Sequence, residues 1–439
     1  MIKFSIIIPT ADRHYLLQHT LRSCLATDRD DIEVVVSDNF SSPETKLVVD
    51  GYRQDERLRY FRTDRRMPMP EHWDFAWSKA RGHFIIINCD DDLVSPSGLN
   101  IIDRAIETFD PRIVSWHIGL YFHPDYDSEG APNTLLFPAG HSNLHMLLDS
   151  YRIIAAYAKF NFRYFPEGNH FCIAKELGDH VINTTGRLFW APSPDFSAPL
   201  LALATAENAR YCYVDSILGF GGRSKHSNAA SFVRGVGSEN SKRIEEFHSE
   251  FGDEEDIFPH HPLRIPFYYN NHFASISLLK KFYPKFADVD IDTFKFFYYA
   301  YEELFRIRYN PMVDISMEKT LDNYIAGLEP SQREAAARAR REVLLQRNWR
   351  IPRNHMEFIR TITPRFVKEG IKRLMVELGV DMRATQITIS GAKHGFSNSF
   401  ELCANWDRIV QENDRFSLAN INEAFRKDFV LSVHKLSSA

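Results

Sequence analysis

Three consecutive carboxylates, Asp90, Asp91 and Asp92, are the strongest chemical signal in the sequence. They closely follow an apolar run at 84–87 that has the composition of a buried strand. Adjacent carboxylates repel one another, so a cluster fixed at a strand end needs a positive partner. Oxygen ligands suit a hard cation such as Mg2+ or Mn2+, which keeps coordination positions for phosphate oxygens or water. The alternative is a solvated acidic turn or a helix N-cap, because a Ser-Pro pair follows the cluster.

Two other predicted strands also end in polar side chains. Thr10 and Asp12 follow the first apolar run, and Asp38 and Asn39 follow a run of three valines. Ligands of parallel sheets bind beyond the carboxyl ends of the strands, so three strand ends should deliver carboxylates to one edge. Asp38 can accept hydrogen bonds from a ribose or from a base N–H, and the alternative role is an Asx-turn with Asn39.

The elements that must position these residues alternate between strand and helix over the first 116 residues. Fully apolar strands in such an alternation predict an α/β fold with a parallel sheet that is covered on both faces. Strands are predicted at 4–8, 33–37, 58–62, 84–87 and 112–116, and helices at 13–25, 43–52, 71–80 and 99–109.

Beyond residue 116 the pattern changes twice. Residues 117–190 have mixed periods, after which the sequence predicts a helix at 194–206, a strand at 210–214 and a glycine-rich loop at 219–231. After about residue 235, helical patterns dominate, including a helix to about Asn348 opened by a capping box of Ser331 and Glu334, and another over 367–378. We therefore predict two domains, 1–235 and a mostly helical 236–439.

Composition excludes several classes of protein. The 439 residues carry a net charge of −5. Proteins that bind the phosphate backbone of a nucleic acid usually carry an excess of basic residues, so the charge argues against a nucleic-acid-binding protein. The five cysteines form no CxxC pair, which argues against a disulfide framework or a structural zinc site and favours a reducing cytoplasm. The longest apolar stretch, 198–206, is about half of the ~18–20 residues of a spanning helix.

Four segments together resemble family 2 glycosyltransferases. They are the opening Ser-Ile-Ile-Ile-Pro-Thr-Ala-Asp-Arg at 5–13, the segment 33–41 around Asp38, the segment 73–82, and the aspartate triplet followed by Pro96. The resemblance is strong over 4–110, fainter to about 231, and absent from the last ~200 residues. It implies the GT-A fold, a Rossmann-like domain that transfers a sugar from a nucleotide-sugar donor.

The same resemblance implies roles for the strand-end residues. Asp90 to Asp92 would be the DXD motif, with Asp92 as the direct metal ligand, and the cofactor would be Mn2+ or Mg2+. His72 stands where similar sequences often carry Asn. The residues implied for donor nucleotide binding are Pro9, Thr10, Asp12, Arg13, Asp38, Asp90 and Asp91, and those implied for the metal are Asp92, Asp90 and His226.

Inverting sugar transfer needs a base that takes the proton of the acceptor hydroxyl. In family members this base lies roughly a hundred residues after the DXD motif, before a helix, and Asp195 in the segment Pro194-Asp-Phe fits that place. The alternative is that Asp195 only caps the helix. Asp179 and Asp215 are weaker candidates for the base.

The glycine-rich segment 219–228 is not a dinucleotide fingerprint, because Ser224 takes the place of the third glycine. We expect a loop that closes on diphosphate, with Arg223 and Lys225 against phosphate. His226 would complete the metal shell, and the alternative for His226 is an exposed loop histidine.

The sequence therefore predicts a metal-dependent inverting glycosyltransferase of bacterial surface polysaccharide or glycoconjugate synthesis. A UDP-sugar is the expected donor and a saccharide or lipid-linked saccharide the expected acceptor, in the cytoplasm or at the inner face of the membrane. The helical part would bind acceptor, mediate homo-oligomerisation or contact the membrane surface. The alternatives are a nucleotidyltransferase of related topology, which would normally have a glycine-rich loop after strand one, and a non-catalytic carbohydrate-binding relative.

Overall fold

One mixed sheet organises the protein. The computed structural model describes residues 1–126, 132–138, 144–166, 170–190, 193–206, 208, 210–224, 249–250, 260–264, 267–307, 316–349, 386–411 and 430–435. Twelve strands of these residues form the sheet. They are β1 (Phe4–Thr10), β2 (Ile32–Asp38), β3 (Leu58–Arg62), β4 (Phe84–Ile87), β5 (Leu93–Val94), β6 (Ile113–Phe122), β7 (Thr134–Pro138), β8 (Leu144–Leu148), β9 (Phe171–Ala174), β10 (Tyr211–Arg223), β11 (Gln386–Ser390) and β12 (Val430–Lys435).

Helices of the first half cover both faces of the sheet, and helices of the second half pack beside it. Those of the first half are α1 (His14–Leu25), α2 (Pro43–Asp50), α3 (Met69–Lys79), α4 (Pro96–Phe109), α5 (Ser150–Ala158), α6 (Lys175–Thr185) and α7 (Pro194–Thr205). Those of the second half are α8 (Tyr268–Phe282), a 3-10 turn (Pro284–Phe286), α9 (Thr293–Ile307), α10 (Ser316–Ala326), α11 (Pro330–Trp349), α12 (Gly391–His394), α13 (Ser399–Ala404) and α14 (Trp406–Gln411).

The sheet order brings the predicted strand ends to one edge. The main path runs β12-β8-β10-β6-β9-β4-β1-β2-β3, and β3, β2, β1 and β4 are parallel. Strand β9 is antiparallel to both β4 and β6, so β4 and β6 point the same way, and β10 is parallel to β6. The carboxyl ends of β1, β2, β4, β6 and β10 therefore lie at the same edge.

Burial explains why the early elements could be predicted. Every residue of β1 and β2 is buried, because α1 and α4 pack on one face and α3, α5, α6 and α7 on the other. Strands β3 and β4 have the bounds predicted from the sequence. The predicted α/β class is confirmed. A helix lies over Pro330–Trp349, as predicted, but it begins before Ser331, so the predicted capping box of Ser331 and Glu334 is wrong.

The region after residue 235 is rich in helices, as predicted, and it also supplies strands to the sheet. Strand β11 pairs antiparallel with β7, and β12 pairs antiparallel with β8. Helix α8 contributes Ile276 and Leu279 to the core under β1. The boundary between 235 and 236 lies outside the described residues and remains a prediction, and the helix predicted over 367–378 lies outside them as well.

Candidate active site

Side chains from three elements meet at the carboxyl edge of the sheet. The Thr10 hydroxyl, at the end of β1, donates to Asp90 Oδ2 at 2.7 Å. The Thr20 hydroxyl, on the buried face of α1, donates to the backbone carbonyls of Asp90 and Asp92 at 2.8 and 2.9 Å. The segment after β4 is thus fixed to the segment after β1, as the strand order requires.

Arg13 is the cation that faces the aspartate triplet. Its Nε donates to Asp90 Oδ2 at 3.1 Å, its Nη1 donates to Asp91 Oδ2 at 3.2 Å, and its Nη2 pairs with Asp90 Oδ1. Burial disfavours the Arg13 charge, but Asp90 and Asp91 outweigh burial and raise its pKa. Burial raises the pKa of Asp90, and the Asp91 charge adds to that rise while Arg13 opposes it. Arg13 is therefore the direct cationic partner of both buried carboxylates, Asp90 and Asp91.

Asp92 lies against the end of β10. Its Oδ1 accepts a hydrogen bond from the Gly222 N–H at 3.2 Å. A Cβ on Gly222 would stand 2.1 Å from the Asp91 carbonyl oxygen, so only glycine allows the two backbones to approach this closely. The predicted loop at 219–231 is therefore wrong for Gly219–Arg223, which is a β10 strand with buried glycines. The glycines there serve close backbone packing rather than a mobile loop.

The loop that carries Asp12 is held at the same edge. Asp12 has a left-handed backbone with φ of 56°, a strained conformation for a residue other than glycine. Its carboxylate accepts from the Ser42 backbone N–H at 2.8 Å and from Arg66 at 3.0 Å. Its own N–H donates to the Ser41 hydroxyl at 2.9 Å, so the loop after β1 is joined to the loop after β2.

Asp38 is fully buried at the end of β2. Its Oδ1 accepts from the Ser41 backbone N–H at 2.8 Å, which is an Asx-type turn reaching Ser41 rather than Asn39. The Tyr60 hydroxyl donates to its Oδ2, and the Arg62 guanidinium lies 3.5 Å from the same oxygen. The carboxylate therefore orders the loop that would border a nucleoside.

Pro9 and His72 lie inside the protein beside the edge. Pro9 is buried in β1 opposite Ser37, and the Ser37 hydroxyl lies 2.9 Å from His72 Nε2. Burial lowers the pKa of His72 to about 4, so its imidazole is neutral near pH 7. The His72 side chain thus fastens α3 to β2.

Asp195 stands in the first turn of α7. The helix begins at Pro194 with Ser193 as its N-cap, so Asp195 is a helical residue and not the N-cap. Helix α7 precedes β10 in the chain, and its apolar side chains lie in the same core as those of α3, α5 and α6. A carboxylate in the first turn is also favoured by the helix dipole.

The backbone that leads into α7 is anchored by Asp74 of α3. Its Oδ1 accepts from the backbone N–H groups of Leu188 and Phe189 at 3.1 and 3.3 Å. Burial raises the pKa of Asp74 to about 6, against the opposing effect of these two hydrogen bonds. Asp74 therefore fixes the backbone of Leu188 and Phe189 to α3.

The two weaker candidates for the base serve other contacts. Asp179 accepts from Trp77 Nε1 at 2.9 Å and from Lys175 at 2.7 Å. Asp215 is fully buried in β10, and its Oδ1 lies 3.0 Å from His117 Nε2. Both carboxylates are committed to structure within the protein.

Sequence reasoning missed His123 and His170, which border the aspartate triplet. His123 follows β6, is buried, and its backbone N–H donates to the Arg223 carbonyl at 2.8 Å. Burial lowers the pKa of His123 to about 4, and the Asp91 charge opposes this. Burial and Arg223 lower the pKa of His170 to about 3. Both lie in the mixed-period region 117–190, where only their position next to a strand end could have singled them out.

The aspartates fit a divalent cation by chemistry, because Mg2+ and Mn2+ take carboxylate oxygens. Among the described residues, however, no group of three or more His, Cys, Asp or Glu side chains is placed to hold a metal ion. Of the predicted set, Asp90 and Asp92 are described, whereas His226 and its neighbour Lys225 lie outside the described residues. A complete ligand set therefore needs a further group beside these carboxylates.

Comparison with known proteins finds a family that is similar to the first part of the chain. Residues 5–165 match the family described as Glycosyl transferase family 2. The family match and the strand order confirm the predicted GT-A fold with a helical C-terminal region.

The chain is also similar to a curated protein and to solved structures. It is 32% identical over 112 residues to the GalNAc(5)-diNAcBac-PP-undecaprenol beta-1,3-glucosyltransferase of Campylobacter jejuni, over 25% of this chain and 36% of that protein. The chain thus spans about a third of that relative. It also resembles S. aureus TarS 1-349 in complex with UDP-GlcNAc, with 14% identity, a TM-score of 0.48, and coverage of 78% of this chain and 90% of that one. A second S. aureus TarS structure gives a TM-score of 0.45 with 14% identity, over 78% of this chain and 55% of that one.

None of the helices in the described parts of the chain is both long enough and apolar enough to span a bilayer.

Proposed function

We propose that the protein is an inverting glycosyltransferase that moves a sugar from a nucleotide-sugar to a hydroxyl acceptor. The observation that carries the proposal is the meeting of Thr10, Arg13 and the aspartate triplet at the carboxyl edge of the sheet, in the region that matches family 2. Ligands of such sheets bind at this edge. A UDP-sugar is the donor that we expect.

The nucleoside half of the donor would lie over the ends of β1 and β2. Pro9, Thr10 and Asp12 would border it from β1, and Asp38 would order the opposite wall through its bonds to Ser41 and Tyr60. The diphosphate would then reach the aspartate triplet, where Arg13 is the cation in place to meet it. Asp90 and Asp91 would bind the donor through Arg13 rather than by direct contact with phosphate.

Asp92 and Asp90 would hold Mn2+ or Mg2+, with His226 as the third ligand. When bound, the cation would neutralise charge on the diphosphate leaving group. The chain itself contributes the rigid mount, since Thr20 holds the carbonyls of Asp90 and Asp92, and Gly222 holds the Asp92 carboxylate.

Asp195 would act as the general base. Its carboxylate would take the proton of the acceptor hydroxyl while that oxygen bonds to the anomeric carbon. The bond from this carbon to the diphosphate oxygen breaks, and the nucleoside diphosphate leaves with the electron pair. Attack from the side opposite the leaving group inverts the configuration. The position of Asp195 in the first turn of α7 supports this role.

The acceptor that we propose is a lipid-linked saccharide of bacterial glycoconjugate synthesis. The name of the Campylobacter jejuni relative describes glucosyl transfer to an undecaprenol-linked glycan, and its similarity to this chain supports the proposal. The protein would then work in the cytoplasm, at the inner face of the membrane, with the helix-rich region 236–439 in contact with acceptor, membrane or a second copy.

A thermal-shift panel tests the proposal. UDP-, GDP- and dTDP-sugars are added to the full chain, each with Mn2+ and with a chelator. The sugars of one of these nucleotides should raise Tm with Mn2+ and raise it less with the chelator. Nucleoside triphosphates in the same panel cover the nucleotidyltransferase alternative. Stabilisation by triphosphates alone, or by free saccharides with no nucleotide effect, would overturn the proposal.

A further inference from the structure

We infer that residues 386–411 position the aspartate triplet and the end of β10 for donor binding. We call this segment the C-terminal brace; it comprises β11, α12, α13 and α14. The inference rests on the proposed function for its donor, but it concerns a part of the chain that lies nearly 300 residues after the triplet and outside the matched family region.

The brace contacts the helix that holds the triplet. Cys403 Sγ of α13 lies 3.2 Å from the Ser23 hydroxyl of α1, and both groups lie within reach of the Val94 carbonyl, at 3.5 and 3.1 Å. Val94 is two residues after Asp92. One turn earlier on α1, Thr20 bonds the carbonyls of the triplet. The same helix is thus held to the brace at one turn and to the triplet at the preceding turn.

The brace also packs under the second element that touches the triplet. The Trp406 ring of α14 meets the Phe220 ring of β10 edge-on, with centroids 5.0 Å apart. Phe220 pairs with Leu93, the residue directly after Asp92. Trp406 is 4% exposed, and it shares one hydrophobic cluster with Leu93 and Phe220.

A third contact ties the brace to the end of β6. The Phe396 carbonyl accepts from Asn133 Nδ2 at 3.0 Å, and Asn133 Oδ1 accepts from the Tyr121 hydroxyl at 2.8 Å. The Gly391 N–H donates to the Asn133 carbonyl at 2.9 Å. The brace therefore contacts β5, β6, β10 and α1 together.

These contacts matter for function because there is little space between Gly222 and the Asp91 backbone, so a small displacement of either changes the other. The Asp91 and Gly222 backbones are already as close as a glycine allows, and Gly222 supplies the hydrogen bond to Asp92. If Trp406 is lost, Phe220 and Leu93 can shift, and the carboxylates of the triplet shift with them. A misplacement of about 1 Å in a binding site can cost on the order of 10²-fold in rate.

The test compares Trp406→Ala, Trp406→Phe and the milder Cys403→Ala in the full chain. Lys393→Ala, at an exposed position of the brace, is the matched control. UDP affinity is measured by calorimetry in Mn2+ well below the Tm of each variant, and hydrogen exchange is followed in the peptide over 89–95. We expect Trp406→Ala to weaken UDP binding about tenfold or more and to speed hydrogen exchange in that peptide. Cys403→Ala should weaken UDP binding by a few-fold. Trp406→Phe and Lys393→Ala should bind UDP with an affinity close to that of the wild type.

Unchanged UDP affinity and unchanged exchange in both Trp406→Ala and Cys403→Ala would overturn the inference, even if Tm falls. If Trp406→Ala does not fold, Cys403→Ala decides alone. A wild-type protein that binds no nucleoside diphosphate would refute the proposed function instead, and the exchange data would still test whether the brace fixes the triplet.

Discussion

The guanidinium of Arg13 holds the Asp90 carboxylate through two of its nitrogens, and the same guanidinium reaches Asp91. The Asp90 side chain is fully buried and that of Arg13 is 16% exposed. Repulsion within the aspartate triplet is thus offset by a cation from the loop after β1, 77 residues before Asp90 in the chain.

Replacing Arg13 by methionine should destabilise the protein. Removal of one partner from a buried ion pair leaves an uncompensated charge and typically costs about 3–5 kcal/mol. Urea unfolding at neutral pH measures the loss. Arg66→Met is the control, because the Arg66 pair with Asp12 is half exposed and should contribute less than ~1 kcal/mol. An Arg13→Met variant as stable as wild type would show that the pair does not stabilise the edge.

Gly222→Ala should lose stability and donor affinity together. Its Cβ would lie 2.1 Å from the Asp91 carbonyl oxygen, so the acidic segment must move, at a cost of about 1–3 kcal/mol. Gly221→Ala is the matched control, since its Cβ would meet nothing closer than the Ile118 side chain at 3.4 Å. Tm and UDP affinity are measured for both. Equal behaviour of the two variants would contradict the role given to Gly222.

Asp74→Asn should stabilise the protein in a pH-dependent manner. The folded-state pKa of Asp74 is raised from 3.8 to about 6, so the charged form is disfavoured by folding. Stability from this group is therefore present at low pH and is lost as the pH rises through about 6. An asparagine oxygen can still accept from Leu188 and Phe189. Since the Asp74 side chain is 24% exposed, the gain should be a modest ~1–2 kcal/mol at pH about 7.5 and should vanish near pH 4. Urea unfolding at the two pH values measures the gain, and an equal effect at both would contradict the assignment.

Asp195→Asn should abolish transfer and leave binding intact. Asn keeps the size of the side chain but cannot take a proton, and loss of a general base costs about 10²–10⁴-fold in rate. Stopped-time transfer assays and UDP calorimetry separate the two effects. Asp179→Asn is the control: it weakens contacts with Trp77 and Lys175, so it should lower Tm while the rate constant of transfer is kept. Transfer at the wild-type rate by Asp195→Asn would place the base elsewhere.

Much of the fold could be predicted because β1, β2 and most of β4 are buried. The runs 58–62 and 84–87 are strands with the predicted bounds, Thr10 and Asp38 are the last residues of β1 and β2, and the aspartates come after β4. Arg13 was implied as a donor residue, whereas its pairing with Asp90 needed the side-chain geometry.

The errors have different physical causes. Glycine composition predicts a loop from Gly219 to Gly222 because glycine is conformationally free, but here glycine removes a side chain so that β10 can lie against the Asp91 backbone. Strands β11 and β12 were missed because each is short and gains its stability from pairing with β7 and β8, which no local pattern shows.

Titration of UDP into the wild-type chain and into Asp92→Asn, each with Mn2+ and with a chelator, tests the central claim most directly. If the edge formed by Thr10, Arg13 and the aspartates holds a nucleoside diphosphate, the wild type should bind one UDP saturably in Mn2+. Binding should weaken about tenfold or more, equal to ~1.4 kcal/mol, in chelator and in Asp92→Asn. No saturable binding of UDP, GDP or dTDP, or UDP affinity that is indifferent to both Mn2+ and Asp92, would contradict the account.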